Sequence, residues 1–529
     1  MNRLLLLALL AAALLVRVYR LTEPPLDFHQ MRQYIGATVA RDFYFTGNDA
    51  IAADRRDLAH FTKEHTELLE PQVLPTLATW GYRLAGGERL WIPRLISTLS
   101  WLLGGIFLWR ITSRAVGPAA ALCALTFFLF MPYAIMASRT FQPDALAWML
   151  MLWAVWRLFR HAEEPTNGNL IFAVAVTLAG MVVRPMCILF VFPVFFFLQW
   201  ERRGFWRGAF HWQTWVMALV PLLPPAAFYL YGLSRGEFIR DHSSFTFMPK
   251  LFRESYYWLG WADKIGRTVG WLPALAGLAS ALWLARGKFR TLLLGLWAGY
   301  LCYGLIFNYH IHTHDYYSMP LIPIVALSLA PLAEIIFTRL ARLWSQRRGA
   351  LVGATALVLV GALALSVVGK KVLHGHVSAA QKDLLKESGS LVGFNKKILL
   401  YLGRDDKFFH NQIKDFIEIG AAVGHSRRNI LLSEDYGKAL IYHGELFGVC
   451  WPPFSMSANI KRTGARIYGP DILETPEDFE RLKQRANAEF LIVTELIELE
   501  RQPALAAHVA AHYREFKRSE RYVIYQLTR

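Results

Sequence analysis

The sequence is poor in cysteine, in charge and in recognisable soluble-domain fingerprints. It has four cysteines in 529 residues: Cys123, Cys187 and Cys302 sit in apolar runs, and Cys450 stands alone in the tail. No CxxC pair and no Cys/His zinc spacing occurs, which excludes a disulfide framework and a zinc finger. No Gly-rich phosphate loop is present, since Gly420-Ala421-Ala422-Val423-Gly424 lacks the required spacing. There is no internal repeat and no low-complexity tract. Charged residues make up only 18%, against 54% hydrophobic and 14% aromatic. That excludes an ordinary soluble enzyme built on one core. Acidic residues are the scarcer sign, and the formal net charge is +17. The excess does not read as nucleic-acid binding, because no binding module accompanies it. Instead Lys and Arg fall in short clusters between apolar runs, as in the cytoplasmic loops of a membrane protein.

What the sequence does have is long apolar stretches. Residues 4–16 are almost wholly Leu and Ala, and Arg17 and Arg20 stand where a signal-peptide cleavage site would need small residues. This predicts an uncleaved first span. Further stretches near the ~20 residues a bilayer requires cover 91–110, 116–133, 143–160, 168–184, 185–200, 213–232, 268–285, 290–307, 317–338 and 350–369, about eleven in all. Alternate loops carry Arg110 and Arg114; Arg157 and Arg160; Arg202, Arg203 and Arg207; Arg286, Lys288 and Arg290; and Arg339, Arg342, Arg347 and Arg348. All fall on one side if the N-terminus is cytoplasmic. Residues 22–90, 134–142, 234–267, 308–316 and everything past 370 then lie outside.

Two of these outer regions are large. Residues 22–90 contain no span, and apolar residues at helical spacing predict amphipathic helices along the membrane surface over 31–45 and 74–84. From about residue 370 the pattern changes. Charged helical segments (476–486, 503–513) alternate with short apolar runs (397–402, 429–432, 490–494, 522–527), which predicts a small α/β domain. The division expected is 1–369 for the membrane domain and 370–529 for a soluble extracytoplasmic domain with a recognition or stabilising role.

Polar residues concentrate at the outer face, where burial without partners is costly. The first set follows the first span directly: Leu26-Asp27-Phe28-His29-Gln30-Met31-Arg32-Gln33. A second runs from Glu64 to Pro75, with Glu67 and Glu70. The third is Ser138-Arg139-Thr140-Phe141-Gln142-Pro143-Asp144, and the fourth Asn308-Tyr309-His310-Ile311-His312-Thr313-His314-Asp315-Tyr316-Tyr317. Arg94 and Arg184 lie near the same face. Each has a bland reading: Asp27 as a helix cap, Arg139 and Arg184 snorkelling to headgroups, Pro143-Asp144 as a helix start, the tyrosines as an aromatic belt. The histidines are less easily dismissed. In an extended strand His310, His312 and His314 would share one face. They could then chelate a divalent metal or form a hydrogen-bonding rim around a phosphate; the rim is preferred, because no HExxH-type motif supports a metal.

The ordered set resembles the GT-C class of polytopic glycosyltransferases, specifically the protein O-mannosyltransferase and aminoarabinose-transferase group. The likeness spans about residues 1–340. It rests on Asp27 just after the first span, on Glu70-Pro71-Gln72-Val73-Leu74-Pro75 with Arg94 beyond it, and on Gln142-Pro143-Asp144-Ala145-Leu146. The last part is His312-Thr313-His314-Asp315-Tyr316-Tyr317-Ser318-Met319-Pro320-Leu321-Ile322-Pro323 opening a late span. Two departures stand out: Phe28 follows Asp27 where many relatives have a second acidic residue, and Glu70-Pro71 replaces a Lys-Pro-Pro sequence.

The resemblance implies an α-helical polytopic transferase in the cytoplasmic membrane of a bacterium, acting in protein or lipid glycosylation of the cell envelope. It would take a polyprenyl-phosphate sugar donor and pass the sugar to a lipid, polysaccharide or protein acceptor, with inversion. Asp27 would be the general base. Arg94, Arg139, Arg184 and His314, with Tyr316 or Tyr317, would steady the leaving phosphate. His29, Arg32, Glu67, Glu70, Asp144, His312 and Asp315 would support the site or meet the acceptor. No cofactor is required. The competing class is a transporter or flippase, but transporters place ionisable groups near the midplane, and here acidic residues are nearly absent from the spans away from their ends.

Overall fold

The computed structural model describes residues 3–66, 70–235, 246–346, 391–393, 406–454, 457 and 473–528. The chain begins with an apolar helix, α1 (Arg3–Val18). Three helices follow before the next apolar run: α2 (Gln30–Phe45), α3 (Ala53–Glu64) and α4 (Val73–Leu84). Then come α5 (Trp91–Ala115), α6 (Pro118–Phe130), the short α7 (Pro132–Ala137), α8 (Asp144–Glu163), α9 (Asn167–Val183), α10 (Ile188–Arg203), α11 (Phe205–Ala209), α12 (Trp212–Leu219) and α13 (Leu223–Arg235). After a gap in the described residues the bundle closes with α14 (Ser255–Thr268), α15 (Trp271–Ala279), α16 (Gly287–Ile306), α17 (Asn308–Thr313) and α18 (Leu321–Gln346).

Among the described residues five segments are long and apolar enough to cross a membrane: Trp91–Ala115, Pro185–Arg203, Trp212–Ser234, Gly287–Ile306 and Asp315–Leu343. Shorter apolar helices run over Leu4–Val18, Pro118–Phe130, Asn167–Val183 and Trp271–Leu284. These nine segments and α8 (Asp144–Glu163) coincide with ten of the expected spans, and 350–369 lies outside the described residues. Local chemistry sets the boundaries. Gly117 and Pro118 open α6, Thr166 caps α9 by accepting from the Asn169 amide, and Gly204 (φ 80°) ends α10. The run expected over 116–133 breaks at Met131-Pro132, where proline cannot continue a helix.

Two glycines one turn apart let α16 lie directly on α10. A Cβ on Gly299 would stand 2.4 Å from the Leu189 carbonyl oxygen, and one on Gly295 2.6 Å from the Val194 Cα. This is the small-xxx-small device of membrane helix pairs. Arg17, fully buried, donates to Ser138 Oγ (2.7 Å) and to the carbonyls of Leu129 (2.7 Å) and Ala13 (3.1 Å), tying α1 to the polar turn after α7.

The tail carries α19 (Asp406–Ala422), β1 (Asn429–Leu432), α20 (Lys438–Gly444), β2 (Gly448–Cys450), α21 (Pro476–Ala486), β3 (Phe490–Val493), α22 (Leu496–Glu500), α23 (Pro503–His512), β4 (Arg514–Arg518) and β5 (Val523–Gln526). The five strands form one sheet in the order β2-β1-β3-β5-β4. β1 runs parallel to both neighbours, with Asn429 opposite Gly448 and Phe490. β5 is antiparallel to β3 and β4. The expected runs at 429–432, 490–494 and 522–527 are β1, β3 and β5, and 397–402 is outside the described residues. β4 was not legible: it reads Arg-Glu-Phe-Lys-Arg and is an exposed edge, which charge protects from further pairing.

One expectation is corrected. The segment 31–45 does not lie on a membrane surface with one face free. Gln30, Gln33, Tyr34, Ile35, Ala37, Thr38, Val39, Ala40, Asp42 and Phe45 of α2 are all buried. One apolar cluster joins Tyr34, Ala37 and Ala40 to Leu74, Ala78 and Tyr82 of α4 and to Phe416, Ile419, Leu440, Ile441, Tyr442, Tyr522 and Ile524 of the tail. The apolar face assigned to lipid is covered by the tail domain.

Candidate active site

The loop after α1 is fixed by two buried polar side chains. Arg94, in the first turn of α5 and fully buried, donates to the carbonyls of Glu23 (2.7 Å), Leu21 (3.0 Å) and Arg139 (3.1 Å) and to Asp27 Oδ2 (2.9 Å). Gln33 Nε2 donates to the carbonyls of Phe28 (2.7 Å) and Pro25 (3.3 Å), while its Oε1 accepts from the Phe141 amide (2.9 Å). The planar guanidinium and the amide each bridge several strands of chain, which a flexible ammonium would do less rigidly. Asp27 is thereby presented with one oxygen held. Its Oδ1 is buried and has no hydrogen-bond partner among the described residues.

Next to Asp27 the chain enters α2 through His29 in the left-handed region (φ 43°, ψ 57°). A non-glycine residue persists there only when its surroundings hold it. His29 Nε2 lies 2.6 Å from Asp315 Oδ1, which also accepts from the Tyr133 hydroxyl at 2.9 Å. The His29 ring meets Tyr316 edge-on, with centroids 5.0 Å apart.

One turn further, Arg32 donates to Glu70 Oε1 at 2.7 Å. Burial opposes the Arg32 cation, but Glu70 beside it, together with Tyr316 and Tyr317, outweighs that and holds it above the ordinary arginine value. Arg32 and Glu70 line a narrow cleft, together with Ile35, Gly36, Gln72, Phe141 and Pro143. Behind it Arg184, at the end of α9, donates to Asp144 Oδ1 at 2.6 Å, with both side chains almost wholly buried. Asp144 is within electrostatic reach of Arg32 and Glu70 as well as Arg184. Tyr317 lies near Arg184 (5.8 Å from ring centroid to guanidinium carbon) and stacks between His310 at 4.9 Å and Tyr303 at 5.8 Å.

The residues predicted from sequence therefore gather, but with partners other than those expected. Arg32 pairs with Glu70, and Arg94 serves Asp27. Arg139 donates to the Arg20 carbonyl at 3.0 Å. His314 contacts Thr313 Oγ1 through Nδ1 at 2.7 Å and lies near the rings of Tyr316 and Tyr317. Glu67 lies outside the described residues. The histidine run is corrected: Asn308–Thr313 is helical, not extended. In a helix, residues two apart point to nearly opposite sides. His310 accordingly stacks on Tyr317, while His312 turns to Tyr256 and Tyr257 and bonds the Asn308 carbonyl through Nδ1. Among the described residues no three His, Cys, Asp or Glu side chains are grouped to hold a metal ion.

Three participants were missed. Gln33 sits in the motif itself, and its signal was a polar side chain on the apolar side of α2. Tyr133 follows Pro132 in an otherwise apolar run. Tyr229 of α13 is within electrostatic reach of Glu70, Arg184, Tyr317 and Arg32, and nothing in its local sequence marks it.

The model of the dolichyl-phosphate-mannose-protein mannosyltransferase family matches residues 70–228, a region that includes Glu70, Arg94, Arg139, Asp144 and Arg184. Among solved structures the chain is similar to ArnT from Cupriavidus metallidurans bound to undecaprenyl phosphate, at 18% identity and a TM-score of 0.55, covering 98% of this chain and 97% of that one. It is also similar to the Archaeoglobus fulgidus oligosaccharyltransferase tethered to an acceptor peptide, at 10% identity and a TM-score of 0.51, covering 96% of this chain and 72% of that one. No curated protein matches by sequence. The likeness to these structures is one of fold, and it extends through the tail. The chain is a multi-pass membrane protein that shares its fold with these two structures and is similar over residues 70–228 to the mannosyltransferase family, the group that its motifs resemble.

Proposed function

We propose that this protein is an inverting glycosyltransferase that moves a sugar from a polyprenyl-phosphate donor to an acceptor hydroxyl at the extracytoplasmic face of the cytoplasmic membrane. Asp27 acts as general base. The family match and the undecaprenyl phosphate held by ArnT support the donor class. The loop charges support an N-terminus inside, with residues 22–90 and the tail outside. The observation that carries the reading is the carboxylate of Asp27, with Oδ2 held by Arg94 and Oδ1 buried and unpartnered among the described residues.

In the reaction, Asp27 Oδ1 takes the proton of the acceptor hydroxyl as that oxygen attacks the anomeric carbon. The bond from this carbon to the phosphate oxygen breaks, and its electron pair leaves with the polyprenyl phosphate. One displacement inverts the anomeric centre. Arg94, with its donors committed to Asp27 and three carbonyls, acts as a positioning residue. Arg139, with His314 and Tyr316, is assigned to the leaving phosphate, where a fixed cation stabilises the growing charge most; Arg32, paired with Glu70, supports the cleft wall. His29, tied to Asp315, holds the entry to α2. Residues 1–369 form the membrane domain and 370–529 the outer domain.

The test is transfer by wild type and Asp27→Asn in proteoliposomes, using undecaprenyl-phosphate sugars as donors and membrane extract as acceptor. Loss of a general base predicts a fall of about 10²- to 10⁴-fold in kcat with donor affinity retained. Equal transfer by both proteins would remove Asp27 from the role. No transfer with any donor, together with solute flux, would favour a transporter.

A further inference from the structure

The Arg184–Asp144 pair has a feature that the phosphate assignment made from sequence does not explain. Arg184 ends α9 and Asp144 opens α8, so backbone geometry sets both side chains at one height in the bundle. Nη1 and Oδ1 meet at 2.6 Å, and the side chains are 3% and 4% exposed. The pair is half satisfied: Asp144 Oδ2 and Arg184 Nε are both buried and have no hydrogen-bond partner among the described residues. An orphaned carboxylate oxygen and an orphaned N–H each bear the full cost of desolvation.

The pair's own charge argues against a phosphate ligand. A carboxylate in contact with the guanidinium leaves no net charge at this point. A phosphate approaching Arg184 would be repelled by Asp144 at nearly the distance at which it is attracted. What remains to be satisfied is one acceptor and one donor. Two neighbouring hydroxyls of one sugar fit them, one donating to Oδ2 and the other accepting from Nε. The position also fits a ligand. Pro143, the neighbour of Asp144, lines the cleft with Arg32 and Glu70, and Tyr316 and Tyr317 are within electrostatic reach of Asp144 and Arg184.

We infer that Asp144 and Arg184 form a subsite for neighbouring hydroxyls of the donor sugar, and that they set which sugar is accepted rather than clamp the phosphate. This rests on the donor class proposed above. A site built to hydrogen-bond a hydroxyl discriminates strongly against a sugar that lacks it or presents it in the other configuration, because the protein groups are then left bare.

The experiment uses full-length protein in nanodiscs: wild type, Asp144→Asn, Arg184→Gln and the conservative Arg184→Lys, each checked for folding by its thermal transition. Two quantities are read. One is the affinity for undecaprenyl phosphate, which has no sugar. The other is the ratio of kcat/KM values across undecaprenyl-phosphate mannose, glucose and galactose. The expectation is that undecaprenyl phosphate affinity stays within about threefold, while the preference among sugars collapses by about 10- to 100-fold, the equivalent of one charge-assisted hydrogen bond. A tenfold or greater loss of undecaprenyl phosphate affinity in folded Arg184→Gln and Arg184→Lys would overturn the inference and restore the phosphate role. Unchanged affinity with unchanged sugar preference would also overturn it, and would assign the pair to bundle structure or a buried water. If wild type neither binds undecaprenyl phosphate nor transfers any sugar, the donor reading itself fails, which is distinct from both.

Discussion

The junction between the tail and α2 offers the sharpest quantitative test, because Arg41 gathers several of its polar contacts in one side chain. Arg41 Nε lies 3.1 Å from each carboxylate oxygen of Glu88, and its Nη1 donates to the Tyr442 carbonyl at 2.6 Å. Its guanidinium carbon stands 3.5 Å from the centre of the Tyr442 ring. The Tyr442 hydroxyl in turn donates to Glu88. The Arg41 and Glu88 side chains are only 14% and 17% exposed. Arg41→Met keeps the length of the side chain and removes its charge. It strands Glu88, and breaking a buried pair costs about 3–5 kcal/mol; residual exposure puts the expectation near 3 kcal/mol. The lost contact with the Tyr442 ring accounts for about 1 kcal/mol of this. For a unit of this size that corresponds to a fall in transition midpoint of about 6–12 °C. The assay is thermal unfolding in detergent, with hydrogen exchange over residues 429–454 to localise the loss. Arg41→Met/Glu88→Leu should recover at least half, since removing both charges leaves neither stranded. A shift below 1 °C in the single variant, or a double variant no better than the single, would refute this account of the junction.

Two further outcomes follow from packing and titration. Gly299→Ala sets a Cβ 2.4 Å from the Leu189 carbonyl oxygen. It should cost about 1–3 kcal/mol by overpacking, while Gly87→Ala, with nothing within 4 Å, should leave the melting midpoint unmoved. His443 bonds the Tyr34 hydroxyl at 2.8 Å, and burial, aided by Arg41, pushes it down to about 3 from 6.5. Below pH 6.5 the unfolded chain takes up a proton that the folded chain refuses until about pH 3. Stability therefore falls as the pH drops through that window, by at most about 1.4 kcal/mol per unit. Melting curves of His443→Gln should be flatter than wild type between pH 6 and 4; parallel curves would contradict it.

The membrane helices were legible because their signal is local: a continuous apolar run says helix whatever packs against it. The outer polar sets were legible for a related reason, since charge at a bilayer boundary stands out against its surroundings. Pairing was not. Nothing near Arg32 marks Glu70, 38 residues away, as its partner, and nothing near Arg94 says that it will hold Asp27. These choices are made by how helices cross, which no single window contains. The histidine run failed for another reason. Alternating histidines would share a face only in a strand, but Asn308–Thr313 continues from the end of α16 with only a slight break at Phe307, and helix geometry separates what a strand would have aligned. The fate of α2 was hidden for the same reason as the ion pairs: its apolar face is real, but the cover comes from residues some 400 positions later.

That distance orders the events of biosynthesis. Tyr34 shares one apolar cluster with Tyr522 and Ile524, so the cluster cannot close until nearly the whole chain has been made and its last strand has paired. α2 carries Arg32 and Gln33 and begins at His29, so the loop that presents Asp27 gains its final support only then. The contact that completes the site is of very long range and correspondingly slow to form. A ribosome-bound or half-inserted chain would hold the bundle helices and the polar residues on them, yet lack the wall against which α2 comes to rest.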